Sequence, residues 1–286
     1  MSEPRHAATM APPTVLEHAA GRTWLKWHRG RRRVADFDFD PRRIREGMRL
    51  GASVEIDLRR HADGGFAVLH DETLARATTG SGAVAQTSAS ALHGLILRDN
   101  DGLPTGVPVA LLSALCHELA TATVGAGALL QLDLKEDSST LTEADVAAFA
   151  RDVAPVQRHM ILSGGDAAAV ARLAAALPDL QIGHDPCHFG AREALARSGD
   201  DTGFVSRALA EAGAARMIYL DIRLILDALG RDFDMIGAFH AAGRRVDAYT
   251  VQGVSPDMVA LCERLMSLGV DQITTDDPEG LFAALA

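Results

Sequence analysis

The chain has 286 residues, with 28 Lys plus Arg against 38 Asp plus Glu, a formal net charge of −10, and 48% apolar residues. An acidic molecule of this kind is repelled at long range by nucleic acid and by anionic membranes, so neither is expected as a bulk partner. One α/β barrel of about 250 residues would use nearly the whole length.

Other absences narrow the class further. No run reaches the roughly eighteen apolar residues needed to cross a bilayer, so no stable membrane insertion is expected. The first twenty residues mix Arg5, His6, Pro12, Pro13, Glu17 and His18 without a signal-peptide core. Cys116, Cys187 and Cys262 are too few and too scattered for a disulfide framework. Together these features point to a reducing, cytoplasmic setting.

Short runs rich in Val, Ile and Leu alternate with Ala-rich stretches of helical period, the pattern of βα units around a parallel sheet. In chain order, an N-terminal extension over residues 1–22 leads to a strand at Thr23–His28. Asp40-Pro41 then opens a helix that Gly51 ends. A second strand at Ser53–Leu58 is followed too closely by the apolar run Phe66–Asp71 for a crossover helix, and Asp63-Gly64-Gly65 between them predicts a hairpin. With the turn centred between Asp63 and Gly64, Asp57 falls opposite His70. Glu72–Pro108 has little periodicity and reads as an insertion over one barrel mouth that shapes the substrate pocket.

Further strands are expected at Leu129–Leu134, Met160–Ser163, Leu180–His184, Met217–Asp221, Val246–Val251 and Gln272–Thr275. Thr142 and Asp166 cap the intervening Ala-rich helices, Pro178 ends the second of them, and Ser255-Pro256 opens a helix stopped by Gly269. Eight strands predict a closed (β/α)8 TIM barrel over residues 23–286, with a small insertion at about residues 72–108 after the hairpin of the second strand.

Barrel strands point alternate residues into a packed interior, and their C-terminal ends carry the active site. Glu55 and Asp57, two apart, share one strand face while Val54, Ile56 and Leu58 take the other. Two neighbouring buried acids without compensation would cost several kcal/mol, so a cation belongs between them. Asp133 and Lys135 repeat the device. A third carboxylate from Asp133 completes an oxygen-rich site suited to Mg²⁺ or Ca²⁺. His28-Arg29 at the end of the first strand and His70-Asp71 from the hairpin bring two imidazoles and a guanidinium to the same mouth. This inventory suits phosphodiester hydrolysis, in which cations offset charge on the phosphoryl oxygens while one histidine accepts a proton and the other donates one.

At these residues the sequence resembles the glycerophosphodiester phosphodiesterase family. His28-Arg29-Gly30 is similar to its opening motif, Glu55-Ile56-Asp57 to its Glu-x-Asp metal pair, and Asp63-Gly64 with Val68-Leu69-His70-Asp71 to its hairpin. Leu132-Asp133-Leu134-Lys135 resembles its Glu-x-Lys strand, Tyr249-Thr250-Val251 its Trp-Thr-Val strand, and Gly269-Val270-Asp271 through Thr275-Asp276-Asp277-Pro278 its closing motif. The resemblance implies a metal-dependent barrel that hydrolyses glycerophosphodiesters to glycerol 3-phosphate and an alcohol. It implies His28 and His70 as the acid–base pair and Glu55, Asp57 and Asp133 as ligands of a divalent ion. Arg29 and Lys135 would contact phosphate, and Tyr249 would line the substrate. Three departures stand out. Arg31–Phe39 replaces the family's Glu-Asn-Thr segment, Asp133 stands for Glu, and Tyr249 stands for Trp, keeping an aromatic wall but adding a hydroxyl.

Plainer readings compete at several positions. Arg31, Arg32 and Arg33 suit a solvated face. His184 and His188 around Asp185-Pro186-Cys187 have metal-like spacing only superficially. Two rival functions use the same residues: a Schiff-base lyase working through Lys135, and a catalytically silent barrel that binds phosphate.

Overall fold

In the central strands the outward residues are mostly apolar and the inward ones largely polar. In β3, for instance, Val54, Ile56 and Leu58 are fully buried beneath helices, whereas Glu55 and Asp57 face inside. The computed structural model describes residues 13–286. Its elements in order are β1 (Val15–His18), β2 (Gly21–Trp27), α1 (Pro41–Leu50), β3 (Ser53–Arg60), β4 (Phe66–Val68), α2 (Ala89–His93), β5 (Ile96–Arg98) and β6 (Pro104–Pro108). Then come α3 (Leu112–Thr121), β7 (Leu129–Leu134), α4 (Glu143–Val153), β8 (Met160–Gly164), α5 (Ala167–Ala174), β9 (Gln181–His184), α6 (Ala191–Ser198) and α7 (Asp201–Ala212). The chain ends with β10 (Met217–Asp221), α8 (Ile222–Leu229), α9 (Met235–Ala241), β11 (Arg245–Val251), α10 (Pro256–Ser267), β12 (Gln272–Thr275) and α11 (Pro278–Leu285).

Eight parallel strands close the barrel in the order β2-β3-β7-β8-β9-β10-β11-β12, with β12 returning to β2. The expected strands are all present, and the fold is a TIM barrel. Local signals act as anticipated: the Asp40 side chain accepts from the Arg42 N–H with Pro41 in the first turn, and Thr142 forms a reciprocal capping box with Asp145. Two apolar clusters, one for each half of the barrel, fill the layer between strands and helices.

Three features differ from the sequence reading. Of the N-terminal extension, residues 1–12 lie outside the described residues, and Val15–His18 forms a strand antiparallel to β2. It finds room there because β3 reaches β2 only at Lys26 and Trp27. The hairpin register differs by one residue: Leu58 pairs with Val68 and the Leu69 N–H donates to the Asp57 carbonyl (3.1 Å), so Asp57 lies opposite Leu69 rather than His70. The cause is an odd loop, since the His61 N–H donates to the Gly65 carbonyl and centres the turn on Asp63. The segment Glu72–Pro108 is also more ordered than its weak periodicity suggested. It holds α2 and the separate β5–β6 hairpin, anchored where Asn100 donates to the carbonyls of Val34 and Asp36.

Candidate active site

A cleft of about 340 Å³ opens at the C-terminal ends of the strands. Lined among others by His28, Arg29, Glu55, Asp57, His70, Asp133, Lys135 and Tyr249, it brings together the catalytic, metal and substrate candidates named from the sequence. No residue of the Glu72–Pro108 insertion lines it, contrary to expectation. Instead, Arg76, Arg98 and Asn100 border an adjoining cavity of about 380 Å³ that shares Arg29 with the cleft.

The three acids converge because β3 and β7 pair in register, placing Asp57 level with Asp133 and Glu55 one step below. Carboxylate oxygens of Glu55, Asp57 and Asp133 lie within 4.8 Å of one another. Such proximity is unfavourable without counter-charge. Burial, then Asp57 and Asp133, push the Glu55 carboxyl well above its ordinary value. Burial acts the same way on Asp57, but Lys135 and Arg29 outweigh it and bring its pKa to about 2. The Lys135 ammonium lies 3.0 Å from Asp57 and also pairs with Asp133, while the Arg29 Nε stands 3.3 Å from Asp57. The Arg29 backbone N–H donates to Glu55 at 2.8 Å.

These residues fit a hard divalent ion. Asp57 Oδ2 is buried and makes no hydrogen bond among the described residues, its one ionic neighbour being Arg29 Nε at 3.3 Å, and three carboxylates against two side-chain cations leave one negative charge over. The same geometry disfavours Lys135 as a Schiff-base nucleophile. Burial opposes its charge, yet Asp133 and Asp57 hold it protonated, well above the usual lysine range.

Each imidazole is held through Nδ1 by a carboxylate: His28 by Asp276 at 2.6 Å and His70 by Asp71 at 2.9 Å. Both Nε2 atoms are thereby left for chemistry. Desolvation, only partly countered by Asp57 and Asp71, keeps His70 below the ordinary imidazole value. The arginine run does not form the solvated face expected of it. Arg31 bridges Asp38 and Asp276, and Arg32 joins Glu46 to Glu279; only Arg33, also on Glu279, is mostly exposed.

The sequence profile of the Glycerophosphoryl diester phosphodiesterase family matches residues 43–280. The chain belongs to this family. No curated protein matches it by sequence. Among solved structures, a Silicibacter pomeroyi protein provisionally named a glycerophosphoryl diester phosphodiesterase superposes with a TM-score of 0.71 at 21% identity, covering 92% of this chain and 93% of the other. The Agrobacterium tumefaciens glycerophosphodiester phosphodiesterase gives 0.62 at 22%, covering 91% and 99%. An Oleispira antarctica phosphodiesterase, solved with the product sn-glycerol-3-phosphate, gives 0.61 at 19%, covering 91% and 95%.

Several polar groups in or just behind this phosphodiesterase's cleft went unassigned in the sequence. Asp71 and Asp276 stood inside motifs, but their contacts to His70 and His28 depend on ring orientation and, for Asp276, on barrel closure. Asp185 and His188 also line the cleft, and Asp185 accepts the Tyr249 hydroxyl at 2.8 Å. The hydroxyl gained by replacing Trp is therefore committed within the protein, leaving the ring as the wall. Lys26 and Gln131 form the floor, Lys26 lying 3.0 Å from Asp247 with both side chains essentially inaccessible.

Proposed function

We propose that this phosphodiesterase hydrolyses glycerophosphodiesters to glycerol 3-phosphate and an alcohol, using a divalent ion of the Mg²⁺ or Ca²⁺ type. The convergence of three carboxylates beside two carboxylate-held imidazoles carries this reading. Glu55, Asp57 and Asp133 would hold the ion. When bound, it supplies positive charge to the phosphoryl oxygens and offsets charge there as the ester breaks. Arg29 and Lys135 orient the phosphate from the same side. His28 and His70 divide the proton work: one Nε2 accepts a proton from the attacking hydroxyl group, and the other donates one to the departing alkoxide. Deep burial of the acids in the barrel wall keeps these charges weakly screened by solvent.

Turnover of glycerophosphocholine or bis(p-nitrophenyl) phosphate, measured with and without chelator, tests the reading. Activity should disappear in EDTA and return with Mg²⁺, Mn²⁺ or Ca²⁺. His28→Ala and His70→Ala should each lower kcat by a factor of about 10² or more while metal still binds in calorimetry. Asp57→Asn should instead weaken metal binding. Tight glycerol 3-phosphate binding without turnover at any metal would sink the hydrolase reading in favour of a silent phosphate-binding barrel.

A further inference from the structure

Beside the three acids, further along the rim, the loop after β9 contributes Asp185 and His188 to the cleft lining. There Asp185, buried at 6% exposure, receives the Cys187 N–H at 2.8 Å and the Tyr249 hydroxyl at 2.8 Å, and His188 Nε2 lies 3.0 Å away. The carboxylate is thus held from three directions, and it in turn holds the imidazole. Packing fixes the ring as well. A Cβ at position 165 would stand 2.7 Å from His188 Cγ, so the ring lies directly on Gly165, where only glycine leaves room. Because Leu134 pairs with Gly164, Lys135 and Gly165 continue neighbouring strands at the same level. Adjacent strands are about 4.8 Å apart, which sets His188 one strand along the rim from Lys135. Its Nδ1 makes no hydrogen bond among the described residues, and the side chain, 38% exposed, lines the cleft.

We propose that His188 is a third cationic contact to the phosphate group of the substrate, completing a clamp with Arg29 and Lys135. Its ligand class is a phosphate mono- or diester, and this identification rests on the phosphodiesterase reading above. Asp185 and Tyr249 are positioning residues for the imidazole. The neighbouring charges agree with a charged ring: Asp185 foremost raises the affinity of His188 for its proton, with Asp133 adding to this while burial and Lys135 oppose it. His184, on the preceding strand, is buried and held below the ordinary imidazole value by desolvation, so it contributes little opposing charge. Arg29 and Lys135 are already paired with Asp38, Asp57 and Asp133. A further free N–H from the neighbouring strand end would therefore add directly to phosphate affinity.

The test is calorimetric titration with glycerol 3-phosphate in the presence of Mg²⁺, together with steady-state kinetics on glycerophosphocholine. His188→Gln should weaken glycerol 3-phosphate binding about tenfold and raise KM more than it lowers kcat. Gly165→Ala, which displaces the ring without removing it, should produce the same pattern, whereas a merely structural ring would move only the melting temperature. His188→Lys should recover part of the affinity by restoring a cation. Unchanged glycerol 3-phosphate affinity in His188→Gln, or a fall in kcat alone, overturns the assignment. Loss of metal affinity in that variant also overturns it, by making His188 a ligand. The two readings fail separately: wild-type protein that binds glycerol 3-phosphate through His188 but never turns over diesters refutes hydrolysis only. Wild-type protein that binds no glycerol 3-phosphate refutes both.

Discussion

At the scale of single residues, the site is built from pairs in which an acid decides what its neighbour can do. Asp276 accepts from His28 at 2.6 Å and also meets Arg31 at 2.6 Å, and these partners outweigh burial to hold its carboxyl below the usual range. Replacing it with Asn keeps the shape but lets the ring adopt the other tautomer, so Asp276→Asn should lower kcat about a hundredfold with metal affinity intact. For His70 the pH dependence has a definite sign. Its neutral form persists below the ordinary imidazole value of about 6.5, because burial outweighs the pull of Asp57 and Asp71. Activity that needs the free Nε2 is lost only as acid drives a proton onto the ring, so the acidic limb of the rate profile should lie below about pH 6.5. Removing Asp71 deletes one group that favours the charged ring. Asp71→Asn should therefore move that limb to still lower pH and reduce the maximal rate; a shift to higher pH would refute the account.

The elements show which information a sequence carries openly. Asp40-Pro41, Thr142 with Asp145, and Ser255-Pro256 each specify a helix start within a few residues, and each helix begins there. Period-two alternation likewise exposed Glu55 with Asp57 and Asp133 with Lys135, because a buried strand has little other reason to hold acids on one face. The one-residue error in the hairpin arose because Asp63-Gly64 suits both two- and three-residue loops, and the choice is made by Asp145 on α4, which accepts the Gly65 N–H at 3.1 Å. Asp145 also takes both Thr142 donors, at 2.9 and 2.7 Å, and the Arg60 Nε at 3.2 Å, and it is fully buried. Burial alone would raise its pKa, but the bonds from Thr142, Gly65 and Arg60 bring it below the ordinary carboxylate value. A lowered native pKa adds stability above the unfolded value of about 3.9 and surrenders it as pH falls through the native value. Asp145→Asn should cost about 2 kcal/mol near neutrality. In chemical denaturation the gap to wild type should narrow below about pH 4.

For the molecule as a whole, the telling feature is what fills the barrel. Aliphatic layers normally pack a TIM-barrel interior, whereas here the apolar interior is reduced to a small cluster around Ile161, Met217 and Tyr219. Above it runs a polar chain. The Lys26 ammonium sits 3.0 Å from Asp247 and 4.4 Å from the centre of the Tyr219 ring, and it donates to Gln131. Gln131 donates to Ser163 at 2.9 Å, and Ser163 to Asp133 at 3.1 Å. Gly183 makes this possible, since a Cβ there would lie 2.4 Å from the Tyr219 ring. None of this was legible beforehand: Lys26 and Asp247 belong to strands at opposite ends of the chain, and only closure of the barrel makes them neighbours. The chain orients one oxygen of Asp133 and leaves the other to Lys135, which would steady a proposed ligand one methylene shorter than the glutamate of the resembled motif. Ser163→Ala should accordingly weaken Mg²⁺ binding in calorimetry, and Ser163→Thr should recover it. The buried pair itself predicts a thermodynamic cycle. Lys26→Met leaves the Asp247 carboxylate without its counter-ion and should destabilise the fold by about 3–5 kcal/mol. In Lys26→Met with Asp247→Leu no charge is left behind, so the double variant should unfold at higher denaturant than the single one. If the two losses simply add, the ammonium and the carboxylate do not act as a unit, and the polar interior needs another explanation.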